Sequence, residues 1–357
     1  MTKINILSQG RFHMLDLARE LDHTGFDIKF YSFIPTSRCI KFGLQKKCIV
    51  SLFGIIAPFL ILRRIFPKLS WIHIKVQDFI MGIFMRKCDI CISLTGYVYA
   101  PRIAQKKGAI IIMERGSKHI LEQKKILEKN PHKKNEAIPN RNIKCNLKAY
   151  QFANFISVAS QHVKESFLLH QYPENRIFVN PYGVDLSMFK PLPNIPKKYD
   201  VIMVGGWGYE KGCDLIVEAI RKTNYSFIHV GSIKDVDFPQ EKNFTHIDPV
   251  DQSKLIEYYN QAKVFILPSR QDGFGMVLSQ ALACNLPIIG SNNCGAPDLK
   301  KMVELPEYIT IIKDYTADAI VTAIHTAIKN YEQLGERIYA GTVSYTHLRA
   351  HETEADL

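Results

Sequence analysis

Short runs rich in β-branched and aromatic residues alternate with segments of helical apolar spacing along most of this chain, and that alternation narrows the fold more than any other feature. The first run, Ile4 to Leu7, leads through Ser8-Gln9-Gly10-Arg11 to Met14, Leu17, Ala18 and Leu21, whose spacing puts them on one helix face. Phe26 to Ile34, Ile90 to Leu94, Ala109 to Met113 and Phe155 to Val158 repeat the strand signal, which restarts at Tyr199 to Val204 and returns at Ser226 to Val230 and Val264 to Leu267. Successive strands separated by helices pair in parallel, because the crossover helix carries the chain back along the sheet. The expectation is an α/β protein with mostly parallel sheet covered by helices on both faces. A length of 357 residues exceeds what one core usually serves. Between the two sets of strands, Pro181 to Lys198 concentrates prolines and lysines, as a linker does. Two domains are therefore expected, 1–188 and 189–342.

Two loops in the second half have the make of anion cradles. Val264 to Leu267 runs into Pro268-Ser269-Arg270-Gln271-Asp272-Gly273-Phe274-Gly275 and then an apolar segment from Met276 to Ala283, which reads as strand, turn and helix. Glycines without a Cβ admit a ligand close to backbone N–H groups, and the positive end of the following helix favours a diphosphate. Tyr199 to Val204 likewise runs into Gly205-Gly206-Trp207-Gly208-Tyr209-Glu210-Lys211-Gly212, ahead of a helix carrying Leu215, Ile216, Ala219 and Ile220. Lys211 there offers a mobile cation. A dinucleotide fingerprint is the weaker reading of this loop, since Ser226 to Val230 ends in Gly231-Ser232 with no carboxylate for a ribose.

From Pro268 to Gly290 the residues resemble the signature of retaining nucleotide-sugar glycosyltransferases of family GT4 (glycosyl transferases group 1), roughly P-S-x-x-E-G-F-G-x-x-x-x-E-A-x-A-C-G-x-P-V-I, over about twenty positions. Asp272 stands where the first Glu is usual and Gln280 where the second is. The resemblance implies the GT-B fold: two doubly wound Rossmann-like domains facing a cleft, the first on the acceptor side and the second binding the nucleotide sugar. It implies that Asp272 contacts the donor sugar and that Gln280 accepts from the ribose hydroxyls. Gln keeps an acceptor oxygen but no charge. Gly273, Phe274 and Gly275 complete that donor-binding loop. The loop from Gly205 is similar to the family's G-R-x-x-x-x-K-G, with Lys211 in the Lys position, Gly206 in the Arg position and Gly208 inside the cradle. The leaving diphosphate would then rest on Lys211, the helix termini and Arg115. In Glu114-Arg115-Gly116-Ser117-Lys118-His119, His119 takes the place of the family's His beside the donor sugar; read by itself it is a partly exposed residue at a helix start. Gly10 is expected to approach the donor phosphates, or else to make an ordinary turn.

The activity implied is transfer of a sugar from a nucleotide-diphosphate sugar to an acceptor hydroxyl with retention, in surface polysaccharide or glycolipid synthesis. No cofactor or metal is obligatory for it, and the acceptor is a glycan or a lipid-linked molecule. No nucleophile triad and no HExxH-like zinc motif is visible. The alternatives are a degenerate or truncated GT-B protein that binds donor without turnover, and a GT-B epimerase. A net charge of +12 asks for an anionic partner; because Lys and Arg are scattered and no recognition module is present, nucleic acid is not expected.

Eight cysteines lack paired metal or disulfide spacing, and Cys88 and Cys91, beside an apolar run, read as buried free thiols. With no signal-peptide core after Met1, a cytoplasmic location follows. Ile49 to Leu62 is fourteen residues without a charge, flanked by Lys46-Lys47 and Arg63-Arg64. Since a bilayer span needs roughly twenty residues, this segment is either a buried helix or a peripheral contact with the inner face of a membrane. Helical spacing runs from Ala317 to Tyr339, after which 343–357 loses all periodicity and resembles translated sequencing-adapter read-through; that stretch is expected to be non-native.

Overall fold

The computed structural model describes residues 1–66, 72–132 and 138–334. The strands form two sheets. The first holds β1 (Lys3–Leu7), β2 (Asp27–Ser32), β3 (Ile49–Ser51), β4 (Ile90–Leu94), β5 (Ile110–Arg115), β6 (Phe155–Val158) and β7 (Ile177–Val179), in the order β3-β2-β1-β4-β5-β6-β7. The second holds β8 (Tyr199–Val204), β9 (Phe227–Val230), β10 (Phe244–Ile247), β11 (Ala262–Leu267), β12 (Ile288–Ser291) and β13 (Ile309–Ile312), in the order β10-β9-β8-β11-β12-β13. The registered pairs are parallel, for example Ile4 with Ile90 and Val201 with Val264. Each sheet grows outward from its first strand in one direction and then jumps back to grow in the other. That is the doubly wound topology, with a switch point between β1 and β4 in one sheet and between β8 and β11 in the other.

The strand and helix alternation expected from the sequence is thus present, with Ile90–Leu94, Phe155–Val158 and Tyr199–Val204 at the expected bounds. Buried residues follow from it. Strands covered on both faces read as continuous apolar runs, as Val264, Phe265, Ile266 and Leu267 do, all at 0–1 % exposure. Helix Cys213–Arg221 buries Cys213, Leu215, Ile216, Val217, Ala219 and Ile220 against the second sheet. The first sheet has its own core around Ile6, Met14, Ala18 and Phe30.

By contacts the chain divides into two units: Met1–Arg115 with Ile138–Ser157 and Tyr172–Phe178, and Gly116–Ala137 with Val158–Gln171 and Val179–Leu357. The loops that follow β5 and β6 therefore group with the second unit.

Two expectations are met only in part, and the expected buried thiols are present. The apolar run Ile49 to Leu62 is not one buried helix: it splits into β3 and helix Phe53–Ile65, in which Ile56 is buried while Phe53, Ile55, Ile61, Leu62 and Ile65 are exposed. Cys88 and Cys91 are free and buried, Cys91 within β4, and burial pushes both thiols up, Cys88 to about 11. Helix Ala317–Leu334 covers most of the expected C-terminal helix, while its continuation to Tyr339 and the segment 343–357 lie outside the described residues.

Candidate functional site

Both glycine-rich loops leave the carboxyl ends of β8 and β11, the neighbouring strands at the switch point of the second sheet. They are locked together there. Gly212 has φ +74°, and a Cβ on it would run into the Pro268 carbonyl, so the first loop turns tightly against the start of the second. The Arg270 backbone N–H donates to the Glu210 carbonyl at 2.9 Å, and the Arg270 guanidinium holds both Asp214 oxygens at 2.6 and 2.7 Å. Arg270 is thereby a structural clamp, its plane 3.8 Å over the Tyr209 ring.

This clamp brings Lys211 to Asp272, Nζ to Oδ2 at 2.6 Å, with both side chains about four-fifths buried. Burial works to lower the Lys211 pKa, but the charges of Asp272 and Glu210 and the hydrogen bond to Asp272 outweigh it and hold it above its ordinary value. Lys211 is a fixed ammonium. Gly206 and Gly208 give room for Lys234 and Asp235: a Cβ on Gly206 would stand 2.8 Å from Lys234 Nζ, and one on Gly208 would collide with the Asp235 carboxylate. Asp235 in turn accepts from the Tyr209 N–H at 2.9 Å and from Asn130 Nδ2 at 2.7 Å. Lys234 was not singled out from sequence, because it lies after β9 and reaches the cradle only through strand pairing.

Gly273 makes space for protein: a Cβ there would strike the Gly116 carbonyl and lie 3.1 Å from the Ser117 N–H. Gln271 bonds to Ser117, and Lys118 Nζ donates to Asn293 Oδ1 at 2.7 Å. From another direction, the Ser160 hydroxyl donates to the Gly273 carbonyl, and His162 Nε2 bonds the Asp272 carbonyl at 2.8 Å. Burial, opposed by that carbonyl, lowers the His162 pKa to about 4, so the ring is neutral and donates from Nε2. Ser160 and His162 are loop-fixing residues that the sequence analysis passed over; their signal was a Ser-x-His directly after a strand. Gly275 at φ +81° starts helix Met276–Ala283. Phe274 is a core side chain, 1 % exposed and edge-on to Tyr182 at 5.7 Å. Gln280, 6 % exposed on that helix, accepts from the Tyr259 hydroxyl at 3.0 Å.

His119 caps helix Ile120–Glu128, its Nδ1 accepting from the Leu121 N–H at 3.4 Å. It is not partly exposed: at 4 % exposure its ring stacks on His170 at 4.1 Å and meets the edge of Phe167 at 5.0 Å. Arg115 and Gly10 belong to the first unit. There Arg115 donates to Asn146 Oδ1 at 3.1 Å, and Gly10 lines a cavity of about 490 Å³. Among the described residues no group of His, Cys, Asp and Glu is placed to hold a metal ion.

Two doubly wound parallel sheets define the GT-B class of α/β proteins, and the comparisons agree. The HepE protein of Anabaena, solved with UDP-glucose, superposes with a TM-score of 0.65 over 100 % of both chains at 13 % identity. TarM superposes with a TM-score of 0.69 over 99 % of this chain and 98 % of that one at 11 % identity. Residues 187–342 match the family Glycosyl transferases group 1. A probable sucrose-phosphate synthase of Thermosipho melanesiensis is 25 % identical over 219 residues, 54 % of this chain and 50 % of its own length. The sulfoquinovosyl transferase SQD2 of Arabidopsis thaliana is 30 % identical over 136 residues, 33 % of this chain and 26 % of its own. The chain thus spans half or less of the length of these two curated relatives.

Proposed function

We propose that this chain is a glycosyltransferase that moves a sugar from a nucleotide-diphosphate donor to an acceptor hydroxyl with retention, in polysaccharide or glycolipid synthesis. The observation that carries this reading is the meeting of two glycine-rich loops at the β8/β11 switch point around the Lys211–Asp272 pair. Phosphate oxygens accept from loop N–H groups and from Lys211, while Lys234 supplies a second cation where Gly206 brings none. Charge builds on the leaving diphosphate as the glycosidic bond breaks, and preorganised cations there lower the barrier without reorganising. In this reading Asp272 orients the sugar, held in place through its carbonyl by His162, and Gln280 accepts from the ribose. His119 acts beside the sugar. A cytoplasmic enzyme of this kind would touch anionic lipid through the exposed apolar side of helix Phe53–Ile65 and its basic end, Arg63 and Arg64.

Calorimetric titration with UDP-, GDP- and ADP-sugars tests the reading, beginning with UDP-glucose, the ligand in the HepE structure. Saturable binding of one donor, weakened about 10-fold or more by Asp272→Ala or Lys211→Ala, roughly 1.4 kcal/mol, is the expected result. Binding without sugar release would identify a degenerate transferase. No binding to any nucleotide sugar would overturn the proposal.

A further inference from the structure

β9 and β10 set two histidines side by side. His229 and His246 are registered partners in this parallel pair, and their rings stack at 5.0 Å with Nδ1 to Nδ1 at 2.9 Å. The other residues of β9, Phe227, Ile228 and Val230, are apolar, and His229 among them is 0 % exposed. An imidazole is a costly core residue unless its polar atoms are used. Both nitrogens of His229 are used. Nε2 lies 2.8 Å from the Gly205 carbonyl, which can only accept, so Nε2 carries the proton. Burial, opposed by that bond, lowers the His229 pKa to about 4, which leaves the ring neutral and Nδ1 bare. His246 Nδ1–H therefore donates to it, while His246 Nε2 faces the Asp248 carboxylate at 3.5 Å. Aromatic neighbours hold both rings: Trp207 packs on His229 at 5.0 Å and Phe238 on His246 at 5.2 Å.

This hydrogen-bonded chain ends at the first peptide of the glycine-rich cradle. Gly205 has φ +129°, a conformation that favours glycine, and its carbonyl fills the space left by the missing Cβ of Gly231. In a planar trans peptide the N–H points opposite the C=O. β9 flanks β8 on the side away from β11, so a Gly205 carbonyl turned to His229 turns the Gly206 N–H toward β11, where Lys211 meets Asp272. Among the described residues nothing accepts from that N–H, and Gly206 is only half-buried, beside the Lys234 side chain. The next N–H along, that of Trp207, is by contrast taken by the Ser232 carbonyl at 2.8 Å.

We infer that His229, its tautomer fixed by His246, is a positioning residue that aims the Gly206 N–H at the diphosphate of the nucleotide sugar. Naming the anion a donor diphosphate rests on the function proposed above; the aiming of a free N–H at an anion beside Lys234 does not. His229 acts only through the peptide it holds, and a Phe or Leu in its place would fill the core without turning that peptide.

The test titrates UDP, uridine and pyrophosphate by calorimetry into the full chain and two variants. His229→Phe keeps an aromatic ring against Trp207 and removes the donor; His229→Gln returns an N–H at the place of Nε2. His229→Phe is expected to weaken UDP and pyrophosphate about 10-fold with uridine affinity unchanged, and His229→Gln to recover most of that loss. A core role alone would lower the melting temperature and leave the ratio of UDP to uridine affinity as in wild type; that result, with UDP-glucose still bound, overturns the inference and spares the transferase reading. Long-range proton–nitrogen NMR spectra of the wild type should show His229 protonated at Nε2 and bare at Nδ1. The opposite tautomer also overturns the inference. Failure of every nucleotide to bind, with pyrophosphate still weakened by His229→Phe and restored by His229→Gln, would sink the transferase reading and leave the aimed N–H standing. A wild type that binds neither UDP nor pyrophosphate would overturn both.

Discussion

Gly273 shows how one residue serves a neighbour rather than a ligand. Its missing Cβ is the space taken by the Gly116 carbonyl. Gly273→Ala should cost about 1–3 kcal/mol from overpacking of a close backbone approach, lowering the melting temperature by a few degrees. An unchanged calorimetric melting point would show that the loops part without penalty. His162 makes a pH prediction. Its folded pKa, about 4, lies below the ordinary 6.5, so on acidification the unfolded chain takes up a proton that the folded chain refuses. Its stability contribution is complete above about pH 6.5 and is lost as pH falls toward 4, roughly 3 kcal/mol at most. Melting temperature against pH should therefore drop steeply over this window in wild type and less steeply in His162→Gln. His229, lowered to about 4 by burial and bonded to the Gly205 carbonyl at 2.8 Å, should retain the rest of the slope. Equal slopes would dismiss a buried neutral His162.

Among the elements, helix Phe53–Ile65 departs furthest from its sequence expectation. An apolar run with no polar face carries no periodicity to say which side is buried, and the structure buries Ile56 while leaving Ile61 and Ile65 each 65 % exposed. Ile56→Ala should destabilise by about 2–4 kcal/mol through the cavity it leaves, whereas Ile61→Ser with Ile65→Ser should change stability by no more than about 0.5 kcal/mol per site. Denaturant unfolding followed by circular dichroism separates the two; a large loss from the exposed pair would show that this face is packed. The same pair should weaken flotation on anionic vesicles if the proposed membrane contact holds. The helices flanking the second sheet were easier to read, since Leu215, Ile216, Ala219 and Ile220 keep helical spacing between polar residues.

At the scale of the molecule, the unit that carries the candidate donor loops is not one continuous stretch of chain. Gly116–Ala137 and Val158–Gln171 belong to it, and from them come the Gly116 backbone, Ser160 and His162 that brace residues 271–273. A fragment of residues 189–342 keeps the strands β8 to β13 but lacks those braces. Hydrogen exchange on that fragment should show β8 and β11 still protected and the amides of residues 271–275 exchanging faster than in the full chain. Equal protection in both would mean that the second sheet holds the loop by itself.

Chemistry close along the chain was legible in advance. Alternating strand and helix signals, the two glycine loops at strand ends and the thiols beside β4 depend on local periodicity and on the backbone freedom of glycine, which short windows of residues record. The partners of those loops were not legible. Lys211 and Asp272 are 61 positions apart and meet because β8 pairs with β11; His162 reaches Asp272 across 110 positions; Lys234 covers Gly206 because β9 lies beside β8. Strand order is set by which buried faces and edges fit together in three dimensions, and a single sequence carries no period that encodes it. The sequence alone therefore settled the kind of fold and the loops where an anion would sit, while packing alone decided which distant cations, carbonyls and imidazoles hold those loops in shape.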